Sequence, residues 1–191
     1  MTALFTGRGD DGTTKTFGCD QRISKSSAIA EALGSLDEIN SFLGLCKVKS
    51  ESQGLALDLK KGQSLAFRDI AHGIQENLFK IQAEAAGFPA HHIEESKVKD
   101  MEAVIVAIEK QLPPIKTFFI SGGTELAATF DFARTLARRA ERRLVAVHEE
   151  SKVALGAETL RYMNRLSSVL YALARLANHK AGITEESPSY K

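Results

Sequence analysis

The sequence predicts an all-α fold, in which five helices form an antiparallel bundle. Five segments carry apolar residues at steps of three and four, the spacing that places them on one face of a helix. Between these segments there is no convincing alternation of apolar and polar residues, the pattern of a half-buried strand. The chain also has only four prolines and no tryptophan, which fits a mostly helical protein. Amphipathic helices bury their apolar faces against one another, so a bundle is the expected architecture.

Length, charge and cysteine content limit the functions open to the chain. We assign residues 1–191 to a single domain, because this length suffices for one hydrophobic core. The 25 basic and 24 acidic residues give a net charge of +1, which argues against bulk binding of nucleic acid. No apolar run approaches the roughly 20 residues of a membrane-spanning helix. Cys19 and Cys46 are isolated and no signal peptide precedes them, so we expect free thiols in a cytoplasmic protein.

Residues 1–22 predict an irregular loop, because glycine, threonine and aspartate are concentrated there. Three glycines satisfy the G-x-G-x-x-G pattern, but no predicted strand precedes them and no βαβ unit follows, so we discount a dinucleotide-binding fold. A threonine also occupies the lysine position of a phosphate-binding P-loop. What remains is a loop whose backbone amides, together with Thr13, Thr14 and Lys15, can hold phosphate groups. A disordered tail is the alternative.

The first helix is predicted from Ser24 or Ser26 to Leu45. Lys25 lies at its start, where a cation opposes the helix dipole. This mismatch indicates either an anionic partner for Lys25 or an exposed lysine. Asp37 lies in mid-helix near the apolar stripe, which predicts a cationic partner for its carboxylate rather than water.

The other elements follow from the same periodicity and from the positions of glycine and proline. They are a polar connection at 46–62, helices at 64–86, 97–111 and 156–181, an extended segment at 115–121 and a mobile tail from Thr184. His91 and His92 lie between the second and third helices. Paired histidines can bind a metal, but no third ligand lies at a recognisable spacing, so we predict no metal site built by protein ligands.

The fourth predicted helix begins after the cap residue Thr124 and continues to His148. Spacings of four, three and four place one polar edge along it, formed by Arg134, Arg138, Glu141 and Arg142. That edge is either a solvated surface with helical ion pairs or a surface that meets a polyanion or another subunit. Arginine forks suit triphosphate oxygens, and alanines interspersed with these residues allow another backbone to approach closely. The small-residue faces further predict an oligomer, in the form of a closed symmetric ring.

Four stretches in register carry a resemblance to a known family. They read FTGRGDDGTT, RISK followed by ALGSLDEINSFLG, SGGTELAATFDFARTLARRAERR and YMNRLSSVLYALARLAN. In this order they cover most of the chain, which resembles the ATP:cob(I)alamin adenosyltransferases of the PduO type. The resemblance implies a homotrimer of five-helix bundles with the active site between neighbouring subunits. It also implies transfer of the 5′-deoxyadenosyl group of ATP, with Mg²⁺, to the cobalt of cob(I)alamin, which releases triphosphate and forms adenosylcobalamin.

The same resemblance implies roles for particular residues. The implied ATP-binding set is Thr6, Gly7, Arg8, Gly9, Asp10, Thr14, Lys15, Lys25, Arg138, Glu141, Arg142 and Asn164. Within it, Lys25 and Arg138 are the candidate catalytic residues, because they would stabilise the leaving triphosphate. Phe118 would lie under the corrin ring, and Arg134 would pair with Asp37 of the adjacent subunit.

Two positions depart from the family pattern. Gly7 stands where the family usually has a basic residue, so Arg8 is expected to take over that contact. The turn before the fourth helix reads Ser121-Gly122-Gly123, where the family usually has proline first. We expect a slightly looser turn with the same role.

The implied partners are ATP, a corrinoid, a reductase that supplies Co(I) and an enzyme that uses adenosylcobalamin, whereas neither nucleic acid nor a membrane is expected. The main alternative is a non-catalytic nucleotide- or cobalamin-binding bundle that acts as a carrier or regulator. Turnover distinguishes an enzyme from such a protein. A helical nucleic-acid-binding protein is a third interpretation, which the near-zero net charge disfavours.

Overall fold

The computed structural model describes residues 4–16, 21–88, 90–150 and 152–190. Its five helices are α1 (Ala28–Gln53), α2 (Phe67–Ala85), α3 (Glu95–Glu109), α4 (Glu125–Glu149) and α5 (Ala157–Lys180). All five predicted helices are therefore present. Their ends lie within a few residues of the predicted ones, except that α1 continues to Gln53 instead of ending at Leu45. Within the described ranges, no helix is both long and apolar enough to cross a bilayer.

Caps fix the ends of the two longest helices. The Ser27 hydroxyl starts α1 by accepting a hydrogen bond from the amide of Ala30 at 3.3 Å. Gly54 ends α1 in the left-handed conformation, at a φ of 61°. Thr124 starts α4 by accepting a hydrogen bond from the amide of Ala127 at 3.1 Å. The predicted cap at Thr124 is thus confirmed.

Contacts between helices show how the helices are oriented relative to one another. Lys49 near the end of α1 pairs with Glu125 at the start of α4. Glu31 near the start of α1 pairs with Arg143 near the end of α4 at 3.4 Å, so the two helices are antiparallel. In space, α5 packs between α3 and α4, and α1 packs between α4 and α2. Glu141 and the cap residue Thr124 of α4 contact Asn164 and Asn178, so α5 is antiparallel to α4, and contacts of Arg165 and Arg175 with Glu102 and Pro113 make α3 parallel to α5. The contacts that α2 makes in mid-α1 and just beyond the end of α1 make these two antiparallel, so α1, α3 and α5 run one way and α2 and α4 the other, as in an up-and-down bundle.

The core lies along α5, which is buried over most of its length. Leu166, Leu170 and Leu173 of this helix are fully buried. Phe67 of α2 meets Phe130 of α4 edge to face, with 6.0 Å between ring centroids. Each fully buried large side chain contributes roughly 1.5–3 kcal/mol relative to exposure. The buried face of α5 packs mainly against α4, so the two helices are held together.

Two short antiparallel sheets correct the all-α prediction. They are β1 (Thr13–Lys15) paired with β2 (Arg22–Ser24), and β3 (Ala56–Asp58) paired with β4 (Ser64–Ala66). Each strand has three residues, too few to show a recognisable alternation of apolar and polar side chains. The predicted N-terminal loop therefore contains a strand. The predicted polar connection at 46–62 is instead the end of α1, a strand and a 3-10 turn.

Residues 113–124, which we name the Phe118 segment, connect α3 to α4 without forming helix or strand before the Thr124 cap. The C-terminal tail lies beside this segment. The amide of Ile120 donates to the carbonyl of Glu186 at 2.8 Å, and the Glu185 carboxylate accepts from Arg175 of α5 at 2.8 Å. The structure thus gives residues 185 and 186 of the predicted mobile tail defined contacts.

Candidate functional site

A groove of about 600 Å³ opens between α4, α5 and the Phe118 segment. It is lined by the aromatic residues Phe118, Phe119 and Tyr171 and by the charged residues Asp131, Arg134 and Arg138. Mostly apolar walls with a few convergent polar groups are typical of a small-molecule site. This Phe118 groove brings together three residues that the sequence singled out from two separate stretches: Phe118, Arg134 and Arg138.

Phe118 lies at the rim of the groove with 78% of its surface exposed. Ile115 and Ile120 of the same segment are also exposed, at 57% and 56%. A cluster of exposed large apolar side chains marks a binding surface, because covering it removes apolar area from water. The position of Phe118 therefore suits contact with a broad apolar ring.

Arg134 is held by a carboxylate of its own helix. Its Nε donates to Oδ1 of Asp131 at 2.7 Å, and its Nη2 donates to Oδ2 at 3.3 Å. Burial acts to raise the pKa of Asp131, but hydrogen bonds from Arg134 and Ser121, with the charge of Arg134, hold that pKa below its ordinary value. Asp131 is thus an anion that neutralises Arg134 and binds the turn at Ser121.

The turn Ser121-Gly122-Gly123 is fixed to α5 as well. Asn178 donates to the carbonyl of Gly122 at 3.0 Å and accepts from the amide of Thr124 at 2.9 Å. Gly123 has a φ of 90°, and a Cβ there would come within 2.7 Å of Cγ of Asn178, so a side chain is excluded on both grounds. The serine that replaces the expected proline supplies a hydrogen bond to α4, and the turn is held from both helices.

The predicted partner of Arg134 lies elsewhere on the surface. Asp37 is exposed on α1 and forms no hydrogen bond or ion pair within the described part of its own chain. The described part of one chain therefore supplies no cation for this carboxylate, and the expected cationic partner stays a prediction. Its pairing with Arg134 of a neighbouring subunit stays a prediction.

The other arginines of α4 differ in their partners. Arg139 and Arg143 form ion pairs with glutamates of α1. Arg142 donates to the carbonyl of Arg138 at 3.1 Å. The Arg138 guanidinium is exposed at the Phe118 groove and has no hydrogen bond or ion pair to the described residues. A guanidinium in this situation is available to an anionic ligand.

Glu141 and Asn164 meet across α4 and α5. Asn164 donates through Nδ2 to Oε1 of Glu141 at 3.1 Å, and its Oδ1 accepts from Arg165 at 2.6 Å. Arg165 also donates to Glu102 of α3 at 2.9 Å. The structure thus brings together two of the predicted ATP-binding residues and fixes them in a chain of hydrogen bonds.

The predicted phosphate-binding loop consists of two tight turns followed by β1. Backbone hydrogen bonds close its turns, from Asp10 to the carbonyl of Gly7 at 3.2 Å and from Gly12 to the carbonyl of Gly9 at 3.1 Å. The Lys25 ammonium donates to the Gly9 carbonyl at 2.8 Å. A Cβ on Gly9 would lie 3.0 Å from Nζ of Lys25, so a glycine there lets the lysine approach. Lys25 therefore lies beside the predicted loop, bound to its backbone.

The remaining loop candidates surround these turns. The Thr6 hydroxyl accepts from the amide of Arg8 at 3.4 Å, and Thr14 and Lys15 lie in β1. The described contacts of Lys25 do not connect it to the Phe118 groove. Within one chain the structure therefore does not bring together the two candidate catalytic residues, Lys25 and Arg138.

Arg22 is a further candidate site residue, because it organises the predicted phosphate-binding loop, and it was not identified from the sequence. Its Nε donates to Oγ1 of Thr13 at 2.5 Å, and its Nη2 donates to the carbonyls of Thr13, at 3.0 Å, and Arg8. Asp11 lies 3.5 Å from the same guanidinium. Arg22 thus ties β1 and β2 together. Arg22 could have been identified from the pairing of β1 with β2, which places it opposite Lys15. Strands of only three residues, however, are too short to be recognised in the sequence.

Tyr171 was also missed, although its spacing could have identified it. It lies seven residues after Asn164, two helical turns along the same face of α5. Burial is the main reason that its pKa is raised, and charges of both signs also act on it. The phenol is therefore neutral at physiological pH and can donate a hydrogen bond into the Phe118 groove.

The described residues provide neither a cluster of metal ligands nor a reactive thiol. In the part of the chain that the structure describes, no three His, Cys, Asp or Glu side chains are grouped so as to hold a metal ion. Cys46 is a buried free thiol, and burial raises its pKa to about 12. It is therefore unreactive at neutral pH. Cys19, the other predicted free thiol, lies outside the described residues.

The chain is similar in sequence to characterised enzymes. It is 38% identical over 185 residues to the corrinoid adenosyltransferase PduO of Citrobacter freundii, which covers 94% of this chain and 51% of that protein. It is 35% identical over 184 residues to a corrinoid adenosyltransferase of Bacillus subtilis, covering 94% and 89%. The chain thus spans about half the length of the two PduO relatives, from Citrobacter freundii and Salmonella typhimurium, and most of the Bacillus protein.

Solved structures share the fold. A variant of the PduO-type ATP:corrinoid adenosyltransferase from Lactobacillus reuteri, complexed with cobalamin and ATP, superposes with a TM-score of 0.83 at 28% identity, over 98% of this chain and 97% of that one. A second variant, complexed with ATP, gives 0.81 at 28% identity over 97% and 99%. The sequence profile of the cobalamin adenosyltransferase family matches residues 4–177. By this match, the chain belongs to the cobalamin adenosyltransferase family.

Proposed function

We propose that this chain transfers the 5′-deoxyadenosyl group of ATP to the cobalt of cob(I)alamin, giving adenosylcobalamin and triphosphate. Family membership and the likeness to a corrinoid adenosyltransferase complexed with cobalamin and ATP support the proposal. The most direct observation is the Phe118 groove, which combines an exposed aromatic side chain with a guanidinium, that of Arg138, lacking a partner among the described residues. The aromatic side chain suits contact with a corrin ring, and the guanidinium suits binding of a triphosphate.

The reaction needs orientation and charge stabilisation more than acid–base groups. Co(I) is already a strong nucleophile and attacks C5′ of ATP. A carbon–cobalt bond forms, the C5′–O bond breaks, and its electron pair leaves with the triphosphate. The protein must hold C5′ against cobalt, which removes part of the entropic barrier, and must stabilise the charge that grows on the leaving group.

We assign Arg138 to the leaving triphosphate. Its guanidinium offers several N–H donors without a competing carboxylate, whereas its neighbours Arg139 and Arg143 are already paired with α1. A preorganised donor aimed at developing charge typically lowers the barrier by about 3–4 kcal/mol. One turn further along α4, Glu141 with Asn164 of α5 would complete the nucleotide pocket, together with Arg142.

We further propose that neighbouring subunits of a homotrimer complete the site. A neighbouring chain would bring its Lys25 and loop residues 6–15 to the triphosphate that Arg138 holds. Lys25 would then exchange the Gly9 carbonyl for a phosphate oxygen, which is favourable because a charged acceptor forms the stronger hydrogen bond. Asp37, which is exposed, would meet Arg134 across the same interface.

Phe118 is assigned to the lower face of the corrin. An apolar ring there would exclude the lower axial ligand and ease reduction to Co(I), so the protein would tune its substrate as well as bind it. The proposal includes a reductase that supplies the electron and an acceptor enzyme that uses adenosylcobalamin. It also includes a cytoplasmic location, which the free thiol of Cys46 supports.

Mg²⁺ would enter the site with ATP. This ion keeps several of its waters and is usually held by substrate phosphates and one or two carboxylates, so a cage of protein ligands is not required. Asp10 is exposed in a turn that precedes β1, and it could supply such a carboxylate. When bound, Mg²⁺ neutralises charge on the phosphate oxygens.

Turnover separates this enzyme from a carrier or regulator. Purified protein with chemically reduced cobalamin and excess Mg-ATP should form several equivalents of adenosylcobalamin per chain. Product formation is measured by the absorbance change that accompanies formation of the carbon–cobalt bond. Calorimetric titration with ATP in the same preparation shows whether the nucleotide site is folded. Binding of ATP without product beyond one equivalent would identify a non-catalytic binding bundle instead.

A further inference from the structure

We propose that Arg175 and Glu185 position the Phe118 segment, so that the C-terminal tail sets the shape of the groove wall that faces the corrin. Arg175 is a positioning residue in this account, because it acts through Phe119 and the segment backbone. The inference rests on the proposed function for the identity of the ligand in the groove.

Arg175 is a charged side chain that is only 6% exposed. Its Nε donates to Glu185 of the tail at 2.8 Å, and its Nη2 lies 3.4 Å from the carbonyl of Pro113, which accepts a hydrogen bond. The guanidinium also lies 5.0 Å from the ring centroid of Phe119. One side chain therefore contacts the tail, the start of the segment and the aromatic residue next to Phe118.

Burial makes these contacts depend on one another. A buried guanidinium is strongly disfavoured unless it is paired and hydrogen-bonded, and Glu185, which is 16% exposed, is the carboxylate that pairs with it. If Glu185 loses its charge, Arg175 gains by turning towards water. That movement would withdraw its contacts from Pro113 and from the Phe119 ring.

Phe118 depends on its backbone for its direction. Because 78% of its surface is exposed, packing around the side chain cannot hold the ring in place. The backbone on the C-terminal side is held where Ile120 donates to the carbonyl of Glu186 at 2.8 Å. On the N-terminal side, the nearest hydrogen bond among the described residues is the one that Arg175, itself paired with Glu185 of the tail, donates to the carbonyl of Pro113 at 3.4 Å. The tail thus takes part in the attachments on both sides of Phe118.

The ion pair also acts on a residue that lines the groove. Arg175 and Glu185 both act electrostatically on Tyr171, which lines the groove one helical turn before Arg175 on α5. Arg138, in contrast, lies on α4, and its guanidinium forms no hydrogen bond or ion pair with the described residues of the tail. Loosening the segment should therefore affect the corrinoid side of the site and leave the ATP side intact.

Glu185→Gln tests this proposal, since it keeps the size of the side chain and removes its charge. Asp58→Asn is the matched control, because it breaks an ion pair of the same helix, between Lys180 and Asp58 at 2.6 Å, away from the Phe118 segment. Hydrogen–deuterium exchange of residues 117–121 is measured in wild type and both variants. The KM values for corrinoid and for ATP are then measured separately.

We expect exchange of residues 117–121 to become about tenfold faster in Glu185→Gln, the size of effect that a lost charged hydrogen bond gives, and to stay unchanged in Asp58→Asn. The corrinoid KM should rise about tenfold while the ATP KM changes by less than about twofold. Unchanged exchange, or faster exchange with an unchanged corrinoid KM, would overturn the proposal. If wild type itself transfers no adenosyl group, the proposed function fails, and the exchange data still decide whether the pair holds the segment.

Discussion

The arginines of α4 share one chemistry but have different surroundings. Arg134 is paired with Asp131, and Arg139 and Arg143 are paired with α1. Arg138 is exposed in the Phe118 groove. An exposed ion pair contributes about 0–1 kcal/mol to stability, whereas a donor that meets developing charge contributes several to catalysis. The loss of Arg138 should therefore reduce the reaction rate, whereas the loss of an ion-paired arginine should have a small effect on stability. Sequence spacing alone could not separate these two cases.

Replacing Arg138 by alanine should lower turnover about 100-fold or more, because the leaving triphosphate loses a preorganised donor. Arg143→Ala is the matched control, since it removes an arginine of the same helix that forms an exposed ion pair with Glu31. The control should retain turnover within about threefold. Steady-state rates of adenosylcobalamin formation compare the two. Survival of activity within a few-fold in Arg138→Ala would show that Arg138 does not hold the leaving group.

Asp131 should make folding stability depend on pH in acid. Its pKa is lowered in the folded chain, so its contribution is present above the unfolded value and is lost as pH falls through the folded one. Wild type should therefore exceed Asp131→Asn in stability at about pH 6, and the difference should shrink as the pH falls below the ordinary carboxyl range. Urea unfolding of both proteins across this range measures it. A difference that does not change with pH would mean that Asp131 is not ionised against Arg134.

Among the elements, α5 begins in an unusual way. Its N-cap residue is Gly156, which supplies no capping side chain. Instead the buried carboxylate of Glu84, at the end of α2, accepts from the amide of Gly156 at 2.6 Å and from the hydroxyl of Thr159 at 2.5 Å. An anion at a helix N-terminus satisfies free amides and interacts favourably with the helix dipole. Glu84 thus fastens the end of α2 to the start of the central helix.

Glu84→Ala should lower the free energy of unfolding by about 1–3 kcal/mol, because it leaves the amide of Gly156 and the buried hydroxyl of Thr159 without their acceptor. Glu76→Ala, at an exposed position of the same helix, is the control and should change stability by less than about 0.5 kcal/mol. Chemical denaturation gives both values. Equal stability of the two variants would show that Glu84 does not cap α5.

Helical periodicity was enough to predict the five helices, because each one buries an apolar stripe whose spacing is local. The same signal placed Arg134 and Arg138 on one edge, and the structure brings both to the Phe118 groove. Contacts between distant segments leave no local signal. The hydrogen bond from Gly156 to Glu84 joins residues 72 positions apart, and the ion pair between Arg175 and Glu185 joins residues 10 positions apart. The sequence predicted neither contact. The three-residue strands were missed because they are too short to alternate.

At the scale of the whole molecule, one chain contains the parts of the proposed site but separates them. Lys25 contacts the predicted phosphate-binding loop, and Arg138 lies at the Phe118 groove. Large apolar side chains on α1 and α4 are also exposed to solvent. Val48 exposes 62% of its surface and Phe132 exposes 54%. Apolar exposure of this kind is typical of a surface that another subunit covers. The separation is therefore expected if the active site forms only in an oligomer.

Charge reversal tests the predicted pair between subunits. If the proposed trimer forms, Asp37→Arg and Arg134→Asp should each weaken it, because each places like charges opposite one another, and the double variant should partly restore it. Analytical ultracentrifugation measures the assembly. Arg134→Asp also disturbs Asp131 within its own helix, so the comparison of Asp37→Arg with the double variant is the decisive one. Full trimers in both single variants would refute the pair.

The most direct measurement of the whole account is the product balance of the purified protein with reduced cobalamin and Mg-ATP. Adenosyl transfer with an intact leaving group predicts equal amounts of adenosylcobalamin and triphosphate, accumulating beyond one equivalent per chain. Release of phosphate or diphosphate without a carbon–cobalt bond, or no product from a protein that binds both substrates, would contradict it.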